Sequence, residues 1–301
     1  MALVAKVRWW LQQLDARLSR LDHAAADEVV PPRERYDEIV AFVRSMDQPD
    51  EAARGYLEIH VPRIGRTLGL VPSPRSSARV LELGAYMQMT PALECVLGYK
   101  EVRGAYFGSL GRTDEKVITV GGKEVFRCLV DLFDAEKDRY PYPDGHFETV
   151  LACEIFEHML HDPMFMLVEI HRVLEEGGTL LLTTPNVASY TAVARALEQS
   201  GNPQLYSKYP NPHGEFSDTE IPHVREYTPS ELREAVESAG FEVENLFTEV
   251  IPGYGTDIRM KAFLERNKYN SAFRGEQLYC IAHKRSDRNV VRYPHFLYEG
   301  S

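Results

Sequence analysis

The chain is short of positive charge: 34 lysines and arginines stand against 45 aspartates and glutamates, giving a net charge of -11 over 301 residues. That balance argues against a sequence-independent grip on a phosphate backbone, and no basic run is dense enough to reverse it. Nucleic acid is therefore not expected as a partner. Paired cysteines are also missing. Cys95, Cys128, Cys153 and Cys280 are scattered, with no C-x-x-C and no neighbouring histidine cluster, so neither a zinc site nor a disulfide framework is indicated. A reducing cytoplasm fits this usage. Long apolar runs are lacking too: MALVAKVRWW is broken by Lys6 and Arg8 before a signal-peptide core forms, and nothing approaches the length of a membrane span. A soluble protein is expected. Finally, the stretch Val80–Leu93, VLELGAYMQMTPAL, has one glycine where a dinucleotide-binding turn has several. Tyr86 and Gln88 stand where the further glycines would be, which disfavours a nicotinamide dinucleotide.

What is present is enough apolar content, 44%, for one large domain with an added segment. Leu3, Val7, Trp10, Leu14, Leu18 and Leu21 recur at helical spacing and form one stripe. The rest of the chain or a second copy would cover it, as in a homodimer through the N-terminal helices; surface attachment to a membrane through Trp9 and Trp10 is disfavoured by the weak cationic character. Helical pieces continue over 31–70, and VPSPRSSA at Val71–Ala78 closes this arm, residues 1–75. From Arg79 strands alternate with helices. Val80–Leu83, Glu101–Phe107, Phe126–Leu132, Thr149–Phe156 and TLLLTTPN read as strands; Pro91–Leu97 and Pro163–Leu174 read as helices, the second stopping at Gly177-Gly178. A late helix, Pro229–Ala239, precedes two strands that can pair, FEVENLFTEV and Glu276–Lys284. The alternation predicts an α/β domain over 76–285, with a parallel sheet covered by helices on both faces and ligands at the carboxyl ends of its strands. A lid insertion is expected at 186–227 and a C-terminal tail at 286–301.

Gly84 supplies the turn after the first strand, and Thr90-Pro91 supplies a capping hydroxyl and a proline at the first helical position. The amides of that helix start can receive an anion, and a ligand that brings only a carboxylate asks less of the turn than a pyrophosphate does. If the ligand also carries a cation, the face of Tyr86 is suited to it.

The order VLELGA, DLFDAEKDRYPYPDGHFETVLACEIFEHM, EIHRVLEEGGTLLLTTPN, HVREYTPSELREAVESAGFEV resembles the class I S-adenosylmethionine-dependent methyltransferases from about Arg79 to Lys284. It looks especially like a bacterial branch associated with glycan or secondary-metabolite modification. The resemblance implies a Rossmann-like sheet of seven strands with the last inserted antiparallel, and S-adenosylmethionine as cofactor. It puts Glu82 and Gly84 beside the methionine part, continued by Ala85 and Tyr86, with Asp134 and Ala135 against adenine and Cys153 and Glu154 near the amine. Where the family has a ribose-binding acid, this chain has Tyr106. Glu82 read alone is either a functional acid or a charge at a strand edge, and the two tyrosines are either contacts or packing aromatics.

Methyl transfer asks the protein for positioning, exclusion of water and removal of a proton. The resemblance places the Glu157-His158 pair on the acceptor side. His158 is the candidate base, with the alternative of a structural histidine at a helix start. The insertion adds His223, alongside His161, His213, Arg225 and Tyr227 as candidate substrate contacts, with Tyr206 and Tyr209 as further aromatics. His213 with His223 hints at a metal, but no third ligand at a persuasive spacing follows, so none is expected. The reading is methyl transfer to an oxygen or nitrogen of a small polar molecule, such as a sugar or natural product. The alternative is a catalytically silent scaffold of the same fold.

Overall fold

The computed structural model describes residues 29–208, 222–251 and 258–299. One sheet of eight strands runs through it in the order β3-β4-β2-β1-β5-β6-β8-β7. The parallel centre is β1 (Arg79–Leu83), β2 (Glu101–Tyr106), β4 (Lys123–Leu132), β5 (Phe147–Cys153) and β6 (Leu174–Pro185). Most of their residues are buried and many are β-branched or leucine, as strands covered on both faces require. β8 (Gln277–Lys284) inserts antiparallel between β6 and β7 (Phe241–Glu249), as the resemblance implies.

The Rossmann-like α/β class holds, with one strand more than the seven expected. The addition is β3 (Arg112–Val120), an edge strand that pairs antiparallel with β4 through a turn at Gly121 and Gly122, both at positive φ. Its exposed, charged sequence offered no apolar alternation to read. Asp47 ties the hairpin tip down, accepting hydrogen bonds from the amides of Gly121 and Gly122 and from the Thr119 hydroxyl. The chain also needs no loop before β6. The helix preceding it ends at Val173, and Gly177 and Gly178 lie within the strand, where the pairing with β5 shifts register.

Two apolar layers flank the sheet. On one side α1 (Tyr36–Ser45), α2 (Glu51–Gly69) and α3 (Thr90–Cys95) bury Ile39, Val43, Leu57, Ile64 and Leu68 against Val80, Val102 and Leu151. Residues 36–69 therefore build one of the domain's own cores. On the other side α4 (Pro163–Val173) and α6 (Pro229–Ser238) pack Met166, Ile170, Leu232 and Val236 against Val150, Leu182 and Cys280. At about 25 cal/mol per Å² of apolar surface, each fully buried leucine or isoleucine contributes roughly 2 kcal/mol to holding these layers. α5 (Tyr190–Leu197) and α7 (Ile258–Arg266) make a small satellite cluster above β6. The C-terminal segment docks on the second layer: the Tyr298 hydroxyl donates to Asp162, and Arg292 pairs with the same carboxylate. The N-terminal stripe from Leu3 to Leu21 lies outside the described residues, and so does the dimer contact proposed for it. No described helix is long and apolar enough to cross a membrane.

Candidate functional site

The strand order reverses between β1 and β5, since the chain leaves β1 toward β2 and β4 on one side and β5 toward β6 on the other. Parallel α/β sheets open a crevice at the carboxyl ends of such a pair. β1 ends there in Gly84, at φ +69°, where a Cβ would stand 2.7 Å from Ile155 Cγ2 of the loop after β5. A side chain would thus both strain the backbone and push the two loops of the crevice apart. The following amide, Ala85, donates to the Ala105 carbonyl at 3.0 Å, and β2 accommodates it with Gly104, whose Cβ would come within 2.9 Å of Ala85. Two residues before Gly84, the Glu82 carboxylate is 2% exposed and accepts a hydrogen bond from the Thr90 hydroxyl at 2.5 Å. Burial pushes Glu82 up from 4.5 to about 7, against the opposing pull of that bond. The Thr90 hydroxyl is therefore not the expected helix cap. α3 begins with Met89 at its cap position and no side-chain cap, because its threonine is spent on the buried acid.

At the end of β2 the Tyr106 hydroxyl donates to that of Tyr86 at 2.8 Å, with the rings edge-to-face at 5.0 Å. The two aromatics form one wall, and Tyr86 is 62% exposed, so it stands at the mouth of the crevice. After β4, Asp134 accepts from the Glu136 amide at 3.1 Å and pairs with Lys137 at 3.2 Å, while the Ala135 carbonyl accepts from Tyr140. Glu136 is buried and turned away: it accepts the amides of His161 and Asp162 and so braces the loop after β5 from below. Gly84, Ala85, Tyr86, Tyr106, Asp134 and Ala135 thus stand on loops of one sheet edge. Among these six residues Gly84 is the one whose backbone leaves no room for a side chain, since a Cβ there would press on Ile155.

The loop after β5 continues the edge. Glu154 sits at φ +56°, with its Oε1 accepting from Thr183 at 2.7 Å and Gln277 at 2.6 Å, and Arg63 of α2 reaching to 3.7 Å. Glu157 is fully buried in the 3₁₀ turn Phe156–His158; its Oε2 accepts from Thr184 at 2.8 Å, and its Oε1 has no hydrogen-bond partner among the described residues. Burial, reinforced by the charge of Glu154, raises Glu157 well above the usual carboxylate range. Its backbone carbonyl accepts the amides of Val224 and Arg225, which lays the end of the insertion against the turn. This brings His223 over: its Nε2 is 4.0 Å from Glu157 Oε1, and its ring is edge-on to His158 at 4.6 Å. Nδ1 of His223 faces Glu226 Oε1 at 3.3 Å. Donor-capable atoms of Glu157, His158 and His223 all lie within 4.8 Å of one another. All three expected catalytic residues are thus brought together from two distant segments.

Other candidates are placed differently. Tyr227 is 1% exposed and stacked on Phe156 at 4.5 Å, so it is core rather than a substrate contact. Arg225 lies over the Tyr227 ring and pairs at 2.8 Å with Glu231, the acid of the α6 capping box, which makes it a brace. His161 is exposed and outside the cluster, held by its backbone amide. The Cys153 thiol is buried in the core layer beneath α1 and α2, which raises it far above an ordinary thiol and leaves only its backbone at the edge. His213 and Tyr209 lie outside the described residues. Sequence reasoning missed Glu226, which accepts the amides of Leu205 and Tyr206 besides facing His223. It also missed His60 and Arg63, one helical turn apart on α2 and both near Glu154. An acid three residues after a candidate histidine was the available sign of Glu226; the i, i+3 spacing was that of the α2 pair.

A family model described as a methyltransferase domain matches residues 57–246, more than half of the chain. A probable S-adenosylmethionine-dependent methyltransferase of Mycolicibacterium smegmatis is 28% identical over 116 residues, 38% of this chain. The match spans only 37% of that relative's length. Among solved structures, a putative methyltransferase in complex with the Trm112 methyltransferase activator of Haloferax volcanii is 17% identical, covers 84% of this chain and 99% of its own, and has a TM-score of 0.47. An S-adenosylmethionine-dependent methyltransferase of Archaeoglobus fulgidus is 18% identical over 76% of this chain and 94% of its own, with a TM-score of 0.47.

Proposed function

Because this chain belongs to the methyltransferase-domain family, we propose that it transfers a methyl group from S-adenosylmethionine to an oxygen or nitrogen of a small polar acceptor, a sugar or natural product. The carrying observation is the shared sheet edge. The glycine turn after β1 and the Glu157–His158–His223 cluster after β5 flank the same strand-order reversal, which supports reading the first as a cofactor cradle and the second as an acceptor-activating group.

In this reading Gly84 and Ala85 admit the methionine tail, Tyr106 offers the ribose a hydroxyl instead of a carboxylate, and Asp134 and Ala135 flank the base. Bound S-adenosylmethionine supplies a methyl group already activated on a sulfonium, so little covalent chemistry is left to the protein. Glu154 is fixed through Oε1 by Thr183 and Gln277 and can hold a cationic amine through its other oxygen. The Glu157–His158–His223 cluster draws the proton from the acceptor's nucleophile, in a setting that Phe156 and Tyr227 keep dry from beneath. Arg63 and His60 overhang Glu154 from α2 and close the crevice on the arm side.

The test is calorimetry with S-adenosylmethionine and its demethylated product, followed by mass spectrometry of polar hydroxyl- and amine-bearing acceptors for a methyl increment. Binding of both cofactor forms and one methylated acceptor are expected. Failure of both to bind would leave a scaffold of the same fold.

A further inference from the structure

We propose that Glu157, His158 and His223 hold a divalent transition-metal ion, a deepening that rests on reading this cluster as the acceptor-activating group. Two imidazoles and one carboxylate are a donor set suited to zinc, manganese or iron(II), with positions left open. The three residues offer ligand atoms within 4.8 Å of one another. Two donors on one zinc ion stand about 3.4 Å apart if tetrahedral, given bonds of about 2.1 Å, so 4.0 Å between His223 Nε2 and Glu157 Oε1 is closed by a small inward turn of either side chain.

Two independent features point to a cation in that gap. Glu157 is 0% exposed, and its Oε1, the oxygen facing His223, has no hydrogen-bond donor among the described residues although Oε2 is satisfied by Thr184. A buried acceptor without a partner is costly, more so when charged, so a cation in this gap would satisfy it. On the other side Glu226 is 4% exposed and faces Nδ1 of His223 at 3.3 Å. An imidazole that donates from Nδ1 to a carboxylate presents its Nε2 lone pair outward, which is how metal-bound histidines are oriented. In that tautomer His223 Nε2 turns its lone pair toward Glu157 Oε1 beyond hydrogen-bond reach, with a second imidazole edge-on beside them.

The spacing argument that disfavoured a metal paired His223 with His213. The third ligand was not downstream but at the tip of β5, delivered by the amides of Val224 and Arg225 bonding to the Glu157 carbonyl. An ion there would face the crevice with open positions, bind the acceptor's oxygen or nitrogen, and make its proton more acidic.

The experiment adds Co²⁺ to the metal-stripped full-length chain and follows d–d absorption, with binding of the demethylated cofactor product measured on the same samples. Wild type should saturate at one ion per chain. His223→Ala and Glu157→Gln should abolish the absorption, and Glu226→Gln should weaken Co²⁺ about tenfold or more. Retained product binding in each variant shows that the fold persists. Absorption that survives His223→Ala and Glu157→Gln, or is missing from a wild type that binds the product, overturns the ion and leaves methyl transfer standing. A wild type that takes up Co²⁺ in this pattern but never binds the product supports the ion and overturns the methyl-transfer reading.

Discussion

His223 Nε2 stands 4.0 Å from Glu157 Oε1, although sixty-six positions of chain separate the two residues. Nothing local produces that proximity. It is the product of two backbone bonds from the insertion to the Glu157 carbonyl and of the Asn186–Tyr227 bridge just beyond. If the pair activates the acceptor, His223→Ala should lower kcat about 10²- to 10⁴-fold while leaving the cofactor dissociation constant within about twofold. Steady-state kinetics beside calorimetry checks this, and an undiminished kcat would remove His223 from the reaction.

The turn after β1 makes a sharper demand. Gly84→Val places a Cβ 2.7 Å from Ile155 at a φ of +69°. The strain should cost about 1–3 kcal/mol of stability, visible as a lowered Tm. Because it also spreads the two loops of the crevice, S-adenosylmethionine binding should fall below detection in calorimetry while the far-UV spectrum stays native. Wild-type affinity in a folded Gly84→Val protein would move the cofactor elsewhere.

Tyr106 tests whether a phenol can stand in for an acid. Its hydroxyl is engaged with Tyr86, yet its oxygen can still accept. Tyr106→Phe should weaken S-adenosylmethionine by up to about tenfold, corresponding to a neutral hydrogen bond of about 1 kcal/mol, rather than by the larger factor that a charged acceptor would give. Unchanged affinity would mean that the ribose is recognised by another group.

The sheet was largely legible because its strands announce themselves as apolar runs between turn residues, and the antiparallel insertion of β8 was implied by the family resemblance. β3 was missed for a physical reason. It is an edge strand with charged residues on both faces, and its one local signal was the Gly121-Gly122 turn. At the site, the turn at Gly84, which the structure holds at positive φ, was readable from local chemistry, whereas the approach of His223 to the Glu157-His158 pair was not, since it comes from bonds between segments distant in sequence. Side-chain direction was not readable either. Thr90 bonds to a buried acid instead of capping a helix, Tyr227 goes into the core, and Glu226, one residue from Tyr227, faces the histidine. Which of two adjacent residues faces the crevice depends on the path of the insertion across the turn, and that path is set by contacts distant in sequence.

Glu82 supplies a prediction in which the sign is unusual for a carboxylate. Its native value, about 7, lies above the ordinary 4.5 because burial disfavours the charge, so the folded chain holds this proton more tightly than the unfolded one. The stability tied to that proton is complete below pH 4.5 and is lost as pH rises through about 7. A shift of this size corresponds to about 3 kcal/mol across the window. Glu157 and Glu276 are raised by burial as well, so the wild-type slope alone does not isolate Glu82. The difference from Glu82→Gln does, since glutamine can still accept from the Thr90 hydroxyl without titrating. Denaturant unfolding of both proteins between pH 4.5 and 8 should show the wild type losing stability relative to the variant, with most of the change between about pH 5 and 7. Parallel curves would mean that Glu82 keeps its charge when buried, and a cation absent from its described surroundings would then have to neutralise it.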